Sequence, residues 1–359
     1  MTHGTAQAVA IAVAEELFLQ PLADKDAAAW DSFVASHPRS SVYHLSTWRR
    51  IIDEVFHHES HYLGAWTEDA ELVGVLPLVR LRSRLFGDYA VSMPYFNYGG
   101  ALGRTTAIEA LLMREATEIA GHLGMSHIEF RDTHAREGWT QVRTDKVIMV
   151  LRLPDTVDAL WQGLGSKLRA QIKRPMKEGA CTVFGGSELL DEFYAVFTRN
   201  MRDLGTPAYG RRFFERILDE FPAQAQLTVV RLGYEPVAAG FLMGHGESME
   251  IPWASSLREC NPLSVNMLLY WGCLKRAVEL GKKQFDFGRS SADSGTYRFK
   301  AQWGAEPRQL YWHYWLNDGA KMPDLSPRNP KFQLAIKVWQ RLPLALTNTL
   351  GPCIVKNLP

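Results

Sequence analysis

A repeat constrains the fold of this chain more than any other feature. A helical pattern closing on Leu123-Gly124 and leading to the short strand Ile128-Glu129-Phe130 recurs as Leu280-Gly281 leading to Phe285-Asp286-Phe287. Each position is displaced by 157: from 123 to 280, from 128 to 285 and from 130 to 287. Upstream of the first copy lies a hairpin pattern, HYLGAWTE, a turn at Glu68-Asp69-Ala70, then ELVGVLPLV. Upstream of the second lies QLTVVRL, a turn at Gly233-Tyr234-Glu235, then PVAAGFLMG. This spacing implies duplication of one module of about 150 residues.

Within a module the order helix, helix, antiparallel strands, helix, strand predicts an α/β (α+β) class with mixed sheets covered by helices. Predicted helices run over 26–36, 45–56, 108–123, 189–204, 211–221 and 265–280, with a further one over 157–178 interrupted near Pro175. A chain of 359 residues exceeds one ordinary core. We therefore expect a flexible leader at 1–14, a first strand near 16–20, modules at 15–150 and 151–315, and a linker with an amphipathic tail at 316–359. The tail offers a short helix with Phe332, Ile336, Val338 and Trp339 on its apolar side and Lys331, Lys337 and Arg341 outside. It either docks on the body or makes a peripheral membrane contact, and Pro343 and Pro352 exclude a continuous spanning helix.

A net charge of +1 supplies no global field toward DNA or membrane, so phosphate affinity must be local. Cys181, Cys260, Cys273 and Cys353 show neither CxxC pairing nor ligand spacing, which fits a reducing cytosol. The alanine stretch near the N-terminus has no Lys or Arg before it and makes a poor secretory signal. No apolar run approaches the roughly 20 residues of a bilayer span. The expected place of work is the cytoplasm, at the inner face of the membrane if the tail touches lipid. His57, His58 and His61 with Asp53 lack a surrounding catalytic motif, and no metal site is expected. Walker, GxSxG and HExxH patterns are absent.

Two stretches concentrate chemistry. In Gln284–Pro307 a half-buried strand, read as ending at Gly288, places Asp286 between two phenylalanines and leads to a small-residue turn over 290–295. Then Tyr297-Arg298-Phe299-Lys300 carries a cation between rings. Lys300 either faces developing negative charge or snorkels from a helix start. Asp286 is either a proton acceptor or the buried partner of Arg289. The second stretch, Gly163–Gly179, holds Lys167, Arg169, Lys173, Arg174 and Lys177, with like charges at i,i+4 that are tolerated when something anionic lies opposite. Arg169 is the best single phosphate ligand because a guanidinium fork matches phosphate oxygens. The alternative is a solvated helix face. Asn266 and Tyr270, at helical spacing beside Trp271, either line an acceptor cleft or pack.

The succession FDFGRS, GTYRFK and QWG resembles the end of the second acyltransferase module in the FemAB family, in its exosortase (PEP-CTERM) locus-associated branch. The runs NMRDLGTPAYGRRFF, YHLSTWRRIIDEVF and PYFNYGG are similar to that branch, so the resemblance spans roughly residues 15 to 315. It implies tandem GNAT-like domains and N-acyl transfer to an amine of a phosphorylated cell-envelope or exopolysaccharide precursor. The lysine of the FK pair, here Lys300, would stabilise the anionic transition state, and the carbonyl of Phe299 would orient the amine. The basic helix would bind phosphates, and Tyr297, Arg298 and Arg289 would border the substrate. No resident cofactor is implied, and the acyl donor is either aminoacyl-tRNA or acyl-CoA. The pyrophosphate loop Q/R-x-x-G-x-G/A has no clean copy here, the nearest stretch being Gly163-Leu164-Gly165. The long coiled-coil arm of the peptidoglycan-type enzymes is also missing. Two rivals stand beside this reading: an acetyl-CoA-dependent N-acetyltransferase of an amino sugar, and a non-catalytic subunit of polysaccharide assembly.

Overall fold

The computed structural model describes residues 16–84, 86–323 and 330–358, so the expected leader and part of the linker lie outside the described residues. The chain begins with β1 (Leu17–Pro21), α1 (Ala27–Ser36) and α2 (Thr47–Phe56). Short strands follow: β2 (Glu59–Ser60), β3 (Leu63–Thr67), β4 (Leu72–Leu76), β5 (Val79–Ser83), β6 (Gly87–Val91) and β7 (Leu102–Gly103). Helix α3 (Thr106–His122) leads to β8 (His127–Asp132), β9 (Val142–Arg143) and β10 (Lys146–Arg152). The second half runs α4 (Val157–Gly163), α5 (Ser166–Lys177), β11 (Ala180–Gly185), α6 (Leu190–Leu204) and α7 (Arg211–Glu220). Then come β12 (Ala225–Leu232), β13 (Glu235–His245), β14 (Ser248–Ser256), α8 (Val265–Glu279), β15 (Gln284–Ser291), α9 (Gly295–Ala301), β16 (Glu306–Gln309) and β17 (Tyr311–Leu316). Helices α10 (Pro330–Trp339) and α11 (Leu344–Val355) end the described chain.

The duplication is visible in the sheets. In each half the strand after the long helix pairs in parallel with an earlier strand, β8 with β6 and β15 with β14. The halves also exchange a strand. β10, from the end of the first half, pairs antiparallel with β15, and β17, from the end of the second, pairs antiparallel with β8. The boundary at residue 150 therefore falls inside a strand that belongs to the later sheet.

Helical periodicity explains what covers these sheets. α6 buries Leu190, Phe193, Val196 and Phe197, and α7 buries Phe213, Phe214, Ile217 and Leu218, in one core that also holds Trp30 and Trp48 from α1 and α2. On the other face of the later sheet, α8 and α5 close a second core around Leu168, Ile172, Phe285 and Phe287.

Three sequence expectations need correction. The 157–178 tract is two helices broken at Leu164-Gly165, where Gly165 is extended, whereas Pro175 sits in the last turn of α5 and removes one bond just before the helix ends. β15 does not stop at Gly288 but continues to Ser291. Gly288 takes φ 77°, which lets β15 carry an extra residue as a bulge before pairing resumes between Arg289 and Ile148. The tail forms two helices, and in the first of them Val338 is 51% exposed rather than packed. The tail does dock: Trp339 is buried, Gly205 packs against Ile336, and the Lys356 carbonyl accepts bonds from Tyr95 and His58. Phe332 and Lys331 lie outside the described side chains. Among the described residues no helix is long and apolar enough to cross a membrane.

Candidate active site

Strands β14 and β15 pair over three positions only, the last being Glu250 with Asp286. Met249 and Ile251, like Phe285 and Phe287, belong to the α8-side core. Alternation along a strand therefore sends both carboxylates through the opposite face, toward the first half. Just past Glu250, β14 carries a bulge of its own, where Pro252 has no N–H to donate. Beyond this rung the two strands part.

The first half supplies the partners. Tyr43 donates to Glu250 Oε2 at 2.7 Å, and the Tyr98 hydroxyl lies 3.0 Å from Glu250 Oε2 and 2.9 Å from Asp286 Oδ2. Asn97 Nδ2 reaches Glu250 Oε1 at 3.5 Å. Asn97 and Tyr98 sit in the 92–100 loop, where buried Met93 and half-buried Tyr95 take φ 64° and 74°. Each left-handed non-glycine residue costs about 1–3 kcal/mol and persists only where its surroundings impose it. Here Ser92, Gly99 and Gly100 are tied to β8, Tyr95 to Lys356, and Trp312 Nε1 donates to the Asn97 carbonyl.

Proton counting follows from this geometry. Tyr98 carries one O–H and contacts two carboxylates, so both contacts are hydrogen bonds only when one carboxyl is protonated and donates back to the phenol oxygen. The electrostatics agree. Burial, and then the Asp286 charge, push the Glu250 carboxyl up to about 8 against the hydrogen bonds it accepts. Burial likewise raises Asp286, opposed by the Gly288 N–H at 2.7 Å, by Tyr98 and by the nearby Lys300 and Arg308 charges. Near neutrality the pair holds one proton and one negative charge.

These acids border a cavity of about 400 Å³ between the halves. Its walls include Ser40, whose hydroxyl meets His245 Nε2 at 2.9 Å, and Arg308 from β16. Burial lowers His245 and keeps it neutral.

Lys300 is 7% exposed, and its Nζ donates to the Gly288 and Arg289 carbonyls, each at 2.9 Å. The ammonium thus satisfies the carbonyls freed by the bulge and keeps one N–H in reserve. Burial, the largest influence, lowers it to about 8 although Asp286 favours its charged form. A Cβ placed on Gly288 would lie 3.8 Å from Asn97 Nδ2 and 4.0 Å from Lys300 Nζ, so the lysine, the bulge and the loop of the first half meet at one point.

The remaining expected residues divide by face. Phe299 and Tyr297 pack on the α8-side core, as does Tyr270, whose ring lies 5.6 Å from Phe287 and 5.0 Å from Phe299. Asn266 is half-buried on α8. Lys167, Arg169 and Lys173 lie on α5, which packs on α8, so the basic helix is on the sheet face opposite the carboxylates. Lys173 stands over the Trp161 ring at 5.5 Å and Arg169 contacts Gln162 at 3.4 Å. Arg289 is not the partner of Asp286. Its guanidinium lies 4.8 Å from the Trp312 ring centroid, because the bulge at Gly288 turns it away. Arg298 donates to the Asp293 carbonyl at the surface. Among the described residues no cluster of three His, Cys, Asp or Glu side chains could hold a metal. Sequence reading missed Glu250, Tyr43 and Tyr98. The signal available was a lone acid in the apolar strand SMEIPWASS and the two tyrosines in runs already singled out for their resemblance.

Residues 166–301 match the acetyltransferase (GNAT) domain family. Among curated proteins none matches the chain. Of solved structures, FemX is 15% identical, with 89% of this chain and 100% of that chain covered and a TM-score of 0.62. A C-terminal domain (DUF2156) assigned to a lysylphosphatidylglycerol synthetase from Agrobacterium fabrum is 14% identical, covering 82% and 93%, with a TM-score of 0.58. A tandem GNAT protein from the clavulanic acid biosynthesis pathway is 13% identical, covering 86% and 100%, with a TM-score of 0.53. The fold is that of tandem GNAT proteins.

Proposed function

We propose that this chain is an N-acyltransferase of FemAB type, acting on an amine of a phosphorylated cell-envelope or exopolysaccharide precursor as in the exosortase (PEP-CTERM) associated branch. One observation carries the reading: two buried carboxylates flank a single phenol hydroxyl where two parallel strands part, and they face a cavity. The remaining carboxylate of the pair, raised by burial, can take a proton from an amine that must lose one before attack. In this scheme the acceptor amine enters from the cavity, the acyl carbonyl lies in the opening beside Gly288, and the Glu250–Asp286 pair takes the ammonium proton. The nitrogen then adds to the carbonyl carbon, and the oxygen gains the electron pair facing the spare N–H of Lys300. Collapse breaks the bond to the CoA sulfur or tRNA oxygen, the leaving thiolate or alkoxide takes the proton that the attacking nitrogen gives up, and a neutral amide remains. Phe299 and Tyr270 border the donor on the α8 face. Lys167, Arg169 and Lys173 suit donor phosphates there, those of either CoA or tRNA.

The working units in this proposal are the modules at 15–150 and 151–315, joined by the exchanged β10 and β17, with 316–359 closing them. Exposed Leu334, Val338, Leu346 and Leu350 beside Lys337 and Arg341 support a peripheral contact with the inner membrane face. The test is transfer of radiolabel to amino-sugar acceptors from acetyl-CoA and, separately, from aminoacyl-tRNA. Transfer from one donor that Glu250→Gln abolishes is the expected result; no transfer from either, with an envelope polysaccharide unchanged in mass when the protein is removed from cells, overturns the reading.

A further inference from the structure

The cavity has two unlike ends. At the floor stands the acid pair, with one negative charge. Arg39, also in the lining, pairs with Glu109, which His134 and Arg136 share, and Arg136 is balanced in turn by Asp132. His245 is neutral and bonded to Ser40. Arg308 remains. It is exposed, lines the cavity, and has no ion-pair partner among the described residues. Once the internal pairs are set aside, a single negative charge and a single positive charge face the same space.

The strand register fixes their separation. Ile148 on β10 pairs with Arg308 on one side and Arg289 on the other, while Val150 pairs with Glu306 and Asp286. Arg308 is therefore two strands across and one rung along from Asp286, roughly 12 Å between Cα atoms for strands 4.8 Å apart. An arginine side chain spans about half of that distance. Its guanidinium borders the same cavity, close enough for its charge to act on Asp286, so one small molecule can reach both. Between them lie Ile148 and Val150 of β10, while Gln284, held by Ser248, and Gln309, held by three backbone carbonyls, border the cavity beyond either end of this stretch. That lining suits a ring with an apolar face and hydroxyl groups at its rim. A volume of about 400 Å³ accommodates one monosaccharide with its substituents.

We propose that Arg308 is the anion-recognising residue of the acceptor site, and that the acceptor is an amphoteric monosaccharide carrying an amine at one end and a phosphate or carboxylate at the other. This rests on the acyl-acceptor reading of the cavity and deepens it. It also separates two anion sites: the cations of α5 lie on the other sheet face and do not serve the acceptor.

The experiment is calorimetric binding of glucosamine 6-phosphate, galacturonic acid, glucosamine and glucose 6-phosphate to the intact chain. Glucosamine 6-phosphate is expected to bind at least tenfold more tightly than glucosamine or glucose 6-phosphate. Arg308→Gln should reduce it to the level of glucosamine while leaving glucosamine itself unchanged, and Arg308→Lys should restore part of the difference. Galacturonic acid, which lacks the amine, should bind no better than glucose 6-phosphate. Equal affinity of wild type and Arg308→Gln for glucosamine 6-phosphate, no preference for the phosphorylated amine, or no binding by any probe overturns the proposal. Acylation is not measured, so a chain that binds in this pattern without transferring an acyl group overturns the earlier reading and leaves this one standing.

Discussion

Glu250 and Asp286 occupy paired positions on adjacent parallel strands, and a single phenol, that of Tyr98, lies 3.0 Å from one carboxylate and 2.9 Å from the other. The phenol comes from the opposite half of the chain. A buried acid pair of this kind destabilises the fold unless it holds a proton. Its stability signature is therefore a consequence of its chemistry.

Glu250 binds its proton up to about pH 8 in the folded chain, against an ordinary 4.5. The folded state thus carries more protons than the unfolded chain between those values, and stability falls as pH rises from about 4.5 through 8. The raised Asp286 carboxyl adds a term of the same sign. Glu250→Gln should flatten this slope and unfold at higher denaturant concentration than wild type at pH 8, by on the order of 2 kcal/mol, while losing acyl transfer. Urea titrations at pH 5 and pH 8 check it; an unchanged slope would show that Glu250 is an ordinary ionised acid.

Tyr98→Phe removes the shared hydroxyl and keeps the ring. The carboxyl that used it must then find the other acid directly, and the pair separates further in proton affinity. Transfer should drop roughly 10- to 100-fold, with the alkaline limb of the pH–rate profile displaced. Thermal unfolding should move little, since the ring still packs beside Tyr43, 5.7 Å away.

Lys300 carries a structural duty that sequence alone did not show. Replacing it by methionine leaves the Gly288 and Arg289 carbonyls without their donor, which costs about 2–4 kcal/mol of stability. If its spare N–H meets the acyl oxygen, the rate falls a further 10²- to 10³-fold. Because burial depresses Lys300 to about 8, the folded chain binds fewer protons than the unfolded between about 8 and 10.5, and this group's contribution to stability grows with pH there. Comparing Lys300→Met and Lys300→Arg separates the duties: arginine should restore most of the melting temperature and little of the rate.

The repeat was legible because a duplicated module repeats its core, and core positions such as Phe285 and Phe287 follow simple alternation. Lys300 stood out in the sequence as a cation in an aromatic run, but its bonds to the Gly288 and Arg289 carbonyls did not. The pairing of Asp286 with Glu250 was not, because parallel neighbours lie a helix apart in sequence and their rung is set by the sheet, not by local pattern. The exchange of β10 and β17 was hidden for the same reason. Arg289 was misplaced because a single glycine at φ 77° shifts the register after it. Tyr43 and Tyr98 stand in runs of aromatic residues where packing and chemistry use the same letters.

The C-terminal helices offer the last prediction. Leu334 is 71% exposed and Val338, one turn on, 51%, while Leu204 beside the α10 contact at Gly205 is 60% exposed. Burying such side chains in an interfacial layer gains about 1.5–3 kcal/mol each, and Lys337 on α10 and Arg341 in the turn after it add roughly 1 kcal/mol each at an anionic surface. Sedimentation with vesicles of phosphatidylglycerol and phosphatidylcholine should therefore pull down the chain, and pure phosphatidylcholine should pull down less. Leu334→Glu with Val338→Glu should abolish binding at unchanged melting temperature, because neither side chain packs on the body. Binding that persists in this double variant, or that ignores the anionic lipid, would place these leucines at no membrane.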